Sequence, residues 1–245
     1  MRIDLSDLAG ATVVFDLDGT LVDTAPDLVG TLNVLLAEEG LPALAMTEAR
    51  PMIGQGARAM LAKGFAAGGA PLAEARMAAL FARFIDHYLA HIAQASRPFP
   101  GVLAALDTLA GAGARLAVCT NKRTDLSVAL LRALGLADRF AAIVGADAAP
   151  PGKPDPRHLI AAIERAGGRR EQAVMVGDSA SDAGAARAAG VPLVLVSFGY
   201  TESPARELRP DALVDHFDEL PAACGRLLRP CPPPAESVLA RSPDA

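Results

Sequence analysis

Four short stretches hold most of the side chains able to do chemistry. In Asp16-Leu-Asp-Gly-Thr20 two carboxylates stand two residues apart, and Gly19 permits a sharp exit from a strand. Thr120-Asn121 pairs a hydroxyl with a backbone N–H. Gly152-Lys-Pro-Asp-Pro156 carries one lysine, Lys153, and Gly177-Asp-Ser-Ala-Ser-Asp182 sets Asp178 and Asp182 four apart. If the extended conformation persists through the first stretch, Asp16 and Asp18 lie on the same side of a sheet. Two carboxylates ~4 Å apart repel by about 4 kcal/mol even at an effective dielectric of 20, so four converging ones call for a cation. An oxygen-only set with no His or Cys beside it favours Mg²⁺ over zinc. Lys153 and such an ion would neutralise a bound phosphate, whose oxygens suit the Thr120 hydroxyl and the Asn121 amide.

Taken singly, each stretch has a plain structural reading. Asp18-Gly19 is a turn, Ser179 and Asp182 cap a helix, Thr120 ends a strand and Lys153 is a solvated loop lysine. Their joint placement outweighs these readings, because each stretch falls at the end of an expected strand. The apolar run from Ala11 to Leu17 reads as a buried central strand. From Thr24 to about Ala95 only helices are expected: one carrying Leu28, Leu32, Leu35 and Leu36 and stopped by Gly40 and Pro42, one from Ala57 to Phe65, and one carrying Leu80 to Ile92. After Ser96-Arg-Pro-Phe-Pro100 strands and helices alternate, with strands at 115–120, 141–145, 173–177 and 191–197 and a short strand and helix between Asp211 and Leu228. Open parallel sheets bind ligands beyond the carboxyl ends of their strands, which is where the four stretches stand. The expected architecture is α/β: a Rossmann-like, doubly wound parallel sheet with an inserted all-helical unit. Its parts are a core of residues 1–22 and 97–228, a helical segment of 23–96, and a Pro-rich, flexible tail of 229–245.

The bulk composition sets outer limits. The 245 residues are 51% hydrophobic and 21% charged with a net charge of -5, and show no Lys/Arg cluster, which excludes nucleic acid and anionic membrane as expected partners. No apolar run approaches the ~18 residues of a membrane span, and Asp4 and Asp7 interrupt any leader, so a cytoplasmic address is expected. Cys119, Cys224 and Cys231 form no paired framework and read as reduced thiols. His87 and His91 are four apart but lack a third ligand, and neither they nor His158 and His216 are given a role. Asp23 either assists the site or caps the helix that follows.

Together, Asp16-Leu-Asp-Gly-Thr-Leu-Val-Asp23, Thr120-Asn121, Lys153-Pro-Asp-Pro156 and Gly177-Asp-Ser-x-x-Asp182 resemble, in order and spacing, the four motifs of the haloacid dehalogenase superfamily. The resemblance covers the chain to about Leu228. It implies that Asp16 attacks phosphorus and forms an aspartyl-phosphate, and that Asp18 serves as general acid and base. It further implies that Asp16, the Asp18 carbonyl and Asp178 hold Mg²⁺ with Asp182 behind them, and that Thr120, Asn121, Lys153 and Gly19 contact the phosphate. The helical segment resembles the cap domain of members whose cap follows the first motif. The phrases Thr24-Ala-Pro-Asp-Leu28, Ile53-Gly-Gln-Gly-Ala57, Ala117-Val-Cys-Thr-Asn-Lys122 and Val196-Ser-Phe-Gly-Tyr200 are similar to those of bacterial phosphoglycolate phosphatases. That similarity implies a small anionic phosphate ester as substrate. The turn at Gly54-Gln55-Gly56 either presents backbone N–H groups to the ester's carboxylate, with Arg58 as a second anchor, or is an ordinary helix start. A sugar-phosphate phosphatase or β-phosphoglucomutase-like enzyme would share every core motif. A non-enzymatic phosphate-sensing module is disfavoured by Asp18. Nothing in the sequence distinguishes a monomer from a homodimer.

Overall fold

The computed structural model describes residues 5–201 and 203–228. The first strand, β1 (Thr12–Phe15), is buried on both sides and is followed by a two-residue strand, β2 (Val22–Asp23). A helical segment comes next: α1 (Ala25–Glu38), a short α2 (Met46–Ala49), a 3₁₀ turn over Arg50–Gln55, α3 (Ala57–Ala67) and α4 (Glu74–Ala90). The chain returns through β3 (Arg97–Pro98), which pairs antiparallel with β2. Sequence reading missed this ribbon, since two residues are too few to show a period.

Alternation then follows. The elements are α5 (Val102–Gly111), β4 (Arg115–Thr120), α6 (Thr124–Ala133), β5 (Ala142–Gly145), α7 (Pro156–Arg165), β6 (Ala173–Gly177), α8 (Ala180–Ala189), β7 (Leu193–Val196), β8 (Ala212–Val214) and α9 (Leu220–Leu228). Among the described residues six strands form one parallel sheet in the order β5-β4-β1-β6-β7-β8. The order reverses at β1, so the crevice beside its carboxyl end is the switch point of the fold. The expected Pro-rich tail, with Cys231, lies outside the described residues.

Strand periodicity divides the core between the two faces. Val13, Phe15, Val118, Val174 and Val176 point into one apolar layer with Leu106 and Leu130, while Val14, Ala117, Cys119 and Met175 point into the other with Leu159 and Ala186. The helical segment has a third cluster of its own, with Leu32, Leu36, Phe65, Phe84 and Tyr88 at its centre. Leu126 and Tyr200 from the α/β part also join this cluster, which fixes the two parts against each other. No helix among the described residues is long and apolar enough to cross a membrane.

Candidate active site

The extended conformation does not persist beyond β1, and this corrects the expectation that four carboxylates converge. The chain turns immediately after Asp16: the N–H groups of Leu21 and Val22 both reach the carbonyl of Leu17 at 3.0 Å, and Gly19 N–H reaches Val22 O. Asp18 is thereby swung away from the sheet face. The ligand oxygens of Asp16, Asp178 and Asp182 lie within 4.8 Å of one another, and the Asp18 carboxylate is absent from that group. Instead it accepts both 3.0 and 3.1 Å hydrogen bonds from Lys122 Nζ.

Each member of the triad is held by several contacts. Asp16 Oδ1 accepts from its neighbour Leu17 N–H at 2.7 Å and pairs with Lys153 Nζ at 2.9 Å, while Oδ2 takes no hydrogen bond among the described residues. Asp178 accepts from the Thr20 hydroxyl at 3.1 Å and from Tyr200 N–H at 2.6 Å. Asp182 Oδ1 pairs with Lys153 Nζ at 2.6 Å, and its Oδ2 accepts from Asp178 N–H, Ser179 N–H and the Ser179 hydroxyl. The helix-cap reading of Ser179 and Asp182 is therefore true of the structure as well, since they form a capping box at the start of α8. Asp178 is wedged in place: a Cβ on Gly19, whose φ is +83°, would collide with Asp178 Oδ2 and reach the Tyr200 ring at 2.8 Å.

Burial dominates the electrostatics. It pushes Asp16 up to about 6, against the pull of Lys153 and with a further push from Asp182 and Asp18. Asp178 is raised well above the ordinary carboxylate range by burial and then by Asp182 and Asp16. Burial alone would lower Lys153, but Asp16 and Asp182 outweigh it and hold the ammonium above its usual range.

Thr120 is buried and its Oγ1 accepts from Lys122 N–H at 3.2 Å, leaving its own hydroxyl proton to donate elsewhere. The Asn121 side chain donates to Lys153 O at 3.0 Å and so braces the lysine loop, while its Oδ1 is buried without a partner. Arg58 stands apart from the triad. It is half-exposed, lies 3.5 Å from Glu74 and stacks 5.4 Å from the Phe81 ring centre, on the wall of a cavity of about 250 Å³ between the helical segment and the sheet. Gln55 and Gly56 line the same cavity, as do Asp18, Asn121 and Lys122.

Several contributors had no sequence signal of their own. Lys122 and Tyr200 stood only inside longer phrases, yet Tyr200 joins both parts of the molecule. Its N–H binds Asp178, and its hydroxyl donates to Asp23 at 2.6 Å while accepting from Ala25 N–H at 2.9 Å. Asp23 thus neither enters the triad nor caps α1 directly; the Tyr200 hydroxyl supplies the cap. His158, left without a role by sequence, accepts from Lys153 N–H at 3.2 Å and braces that loop. His87 and His91 stack on each other with ring centres 4.1 Å apart, and His87 reaches Thr31 Oγ1, so their polar atoms are locally used. Cys119 and Cys224 are buried free thiols.

A family model described as haloacid dehalogenase-like hydrolase matches residues 13–196. A phosphoglycolate phosphatase of Caulobacter vibrioides is 58% identical over 94% of this chain and 97% of its own length. One from Agrobacterium fabrum is 49% identical over 86% of this chain and 90% of its own. Among solved structures, a predicted phosphoglycolate phosphatase from Haemophilus somnus superposes with a TM-score of 0.80 at 30% identity, covering 87% of this chain and 96% of that one.

Proposed function

The chain belongs to the haloacid dehalogenase-like hydrolase family, and from that premise we propose that it hydrolyses 2-phosphoglycolate to glycolate and phosphate by way of a phosphorylated Asp16. The observation that carries the chemistry is the state of Asp16: buried, fixed through Oδ1 by Leu17 N–H and Lys153, and with Oδ2 free of hydrogen bonds. The substrate rests on the extent of similarity to phosphoglycolate phosphatases, at 58% identity over nearly the whole chain.

The donor set fits Mg²⁺. Asp16, Asp178 and Asp182 present oxygen alone, and among the described residues the three carboxylates share one lysine, Lys153, which leaves two negative charges for a divalent ion to offset. Asp16, Asp178 and the Asp18 carbonyl would hold the ion, with Asp182 in support because its Oδ1 pairs with Lys153 and its Oδ2 already accepts three hydrogen bonds, where each Asp178 oxygen accepts one. Bound there, Mg²⁺ supplies charge neutralisation for the phosphoryl group.

The chain's own residues do the rest. Asp16 Oδ2 attacks phosphorus as the P–O ester bond breaks, and the electron pair leaves on the glycolate oxygen, which takes a proton from Asp18. Water then attacks the aspartyl-phosphate phosphorus, gives its proton to Asp18, and releases phosphate with Asp16 restored. Lys153 spends two of its three N–H groups on Asp16 and Asp182, so the third is available to a phosphoryl oxygen, beside the free hydroxyl proton of Thr120 and the Asn121 amide. The helical segment, acting as a cap, excludes water while the ester is cleaved.

The test is Mg²⁺-dependent phosphate release from 2-phosphoglycolate, several sugar phosphates and a nucleotide. The expected result is the highest kcat/KM on 2-phosphoglycolate and a loss of roughly 10⁴-fold or more in Asp16→Asn. Turnover that survives Asp16→Asn sinks the mechanism, and a sugar phosphate that wins sinks the substrate.

A further inference from the structure

The cavity of about 250 Å³ between the helical segment and the sheet is lined largely by apolar side chains, among them Leu28, Met60, Phe84 and Ile85. Three cationic residues reach it, and two of them are already occupied at the surface. Arg123 is exposed and forks onto Asp125 at 3.1 and 2.7 Å, and Arg58 faces Glu74. Lys122 differs, because its side chain is only 6% exposed and its ammonium sits 4.6 Å from the Tyr88 ring centre. An ammonium has three N–H groups, and Asp18 takes two of them. Next to it, the Tyr88 hydroxyl is fully buried and has no hydrogen-bond partner among the described residues. A buried hydroxyl left unpaired costs about 1–3 kcal/mol, a cost that a ligand atom accepting or donating there removes.

We propose that Lys122 and the Tyr88 hydroxyl together bind the carboxylate of the substrate's leaving group, and that they, rather than Arg58, select a phosphate ester of a 2-hydroxy acid. This rests on the reading above, in which Asp18 meets the ester oxygen. Lys122 Nζ lies 3.0 Å from Asp18 Oδ1, so an anion that reaches it must sit on the carbon next to the ester oxygen. A carboxylate one bond farther out would be carried past Lys122 into the apolar wall. The same wall offers few partners for the hydroxyls of a sugar, which would have to be desolvated without compensation. Because Tyr88 stands on α4 and Lys122 follows β4, the pair is complete only when the helical segment is seated on the sheet.

The test compares kcat/KM on 2-phosphoglycolate with that on ethyl phosphate, which has the same two carbons and no carboxylate, in the wild type, Lys122→Met and Tyr88→Phe. In the wild type 2-phosphoglycolate is preferred. Lys122→Met lowers that preference by at least about tenfold, the loss of one charge-assisted contact. Tyr88→Phe, which removes a hydroxyl that makes no geometric hydrogen bond among the described residues, moves the preference in the same direction through KM more than kcat. A wild type with no preference for 2-phosphoglycolate overturns the substrate reading and this inference together. A wild-type preference that persists unchanged in both variants overturns this inference alone. An equal loss on both esters in Lys122→Met, with Tyr88→Phe unchanged, also overturns it and leaves Lys122 a positioning residue for Asp18.

Discussion

Lys153 is held from three directions. Its ammonium pairs with Asp16 and Asp182, its N–H is accepted by His158 Nδ1, and its carbonyl takes the Asn121 amide. His158 can accept that N–H only while neutral, and burial together with the nearby Lys153 charge lowers it to about 4. The unfolded chain takes up that proton near pH 6.5, so between pH 6.5 and 4 the unfolded state binds more protons and the His158 contribution to stability falls with pH. The stability difference between wild type and His158→Gln is therefore expected to be about 3 kcal/mol smaller at pH 4 than at pH 7.5. Urea denaturation of both proteins at each pH measures it; the difference cancels Asp16, whose raised value acts in the opposite sense. A pH-independent difference refutes the assignment. At this scale the sequence was legible where a residue type and a strand end coincide, as at Asp16, Asp178 and Lys153. It was not legible for Tyr200, which comes from the loop after β7 and meets Asp23 177 residues away. No local pattern encodes such a meeting.

Among elements, the crossings between the helical segment and the sheet depend on one carboxylate. Asp27, in the first turn of α1, accepts from Ala95 N–H, Ser96 N–H and the Ser96 hydroxyl, and so ties the outgoing chain to the returning one beside the β2–β3 ribbon. Ser96 is fully buried, so removing its acceptor leaves buried donors unpaired. Asp27→Ala is expected to cost about 2–4 kcal/mol, read as a lower midpoint in thermal or urea unfolding. A change within experimental error would mean that water replaces the carboxylate there. The helices and most strands of the fold were legible from periodicity, because each buries one face or two. The ribbon was not, and neither was the end of β1: the alternation of Phe-Asp-Leu-Asp allows the strand to run on, and the turn that closes Leu21 and Val22 N–H onto the Leu17 carbonyl ends it at Phe15.

For the molecule as a whole, the excess of buried negative charge makes metal binding a stability matter. An ion that binds only the folded protein adds about 2.7 kcal/mol at a hundred times its Kd. For a chain of this size that corresponds to a rise in Tm of roughly 5–10 °C. Calorimetry with Mg²⁺ and with chelator is expected to show this rise in the wild type and to lose it in Asp178→Ala; an equal rise in both would place the ion elsewhere. The same architecture has a consequence in time. The strand that leads to Asp16 is made first but lies in the middle of the sheet, and its neighbours begin only at Arg115 and Ala173. At a synthesis rate of about 5–20 residues per second, β1 waits roughly 5–20 s for the first of them and longer for the second. Throughout that interval an apolar strand would stand bare on the ribosome, while the intervening helices already have an apolar cluster of their own in which to collapse. The helical segment is thus made in full before the sheet beneath it, and Asp16 gains its β6 neighbour only when Gly177 and Asp178 emerge.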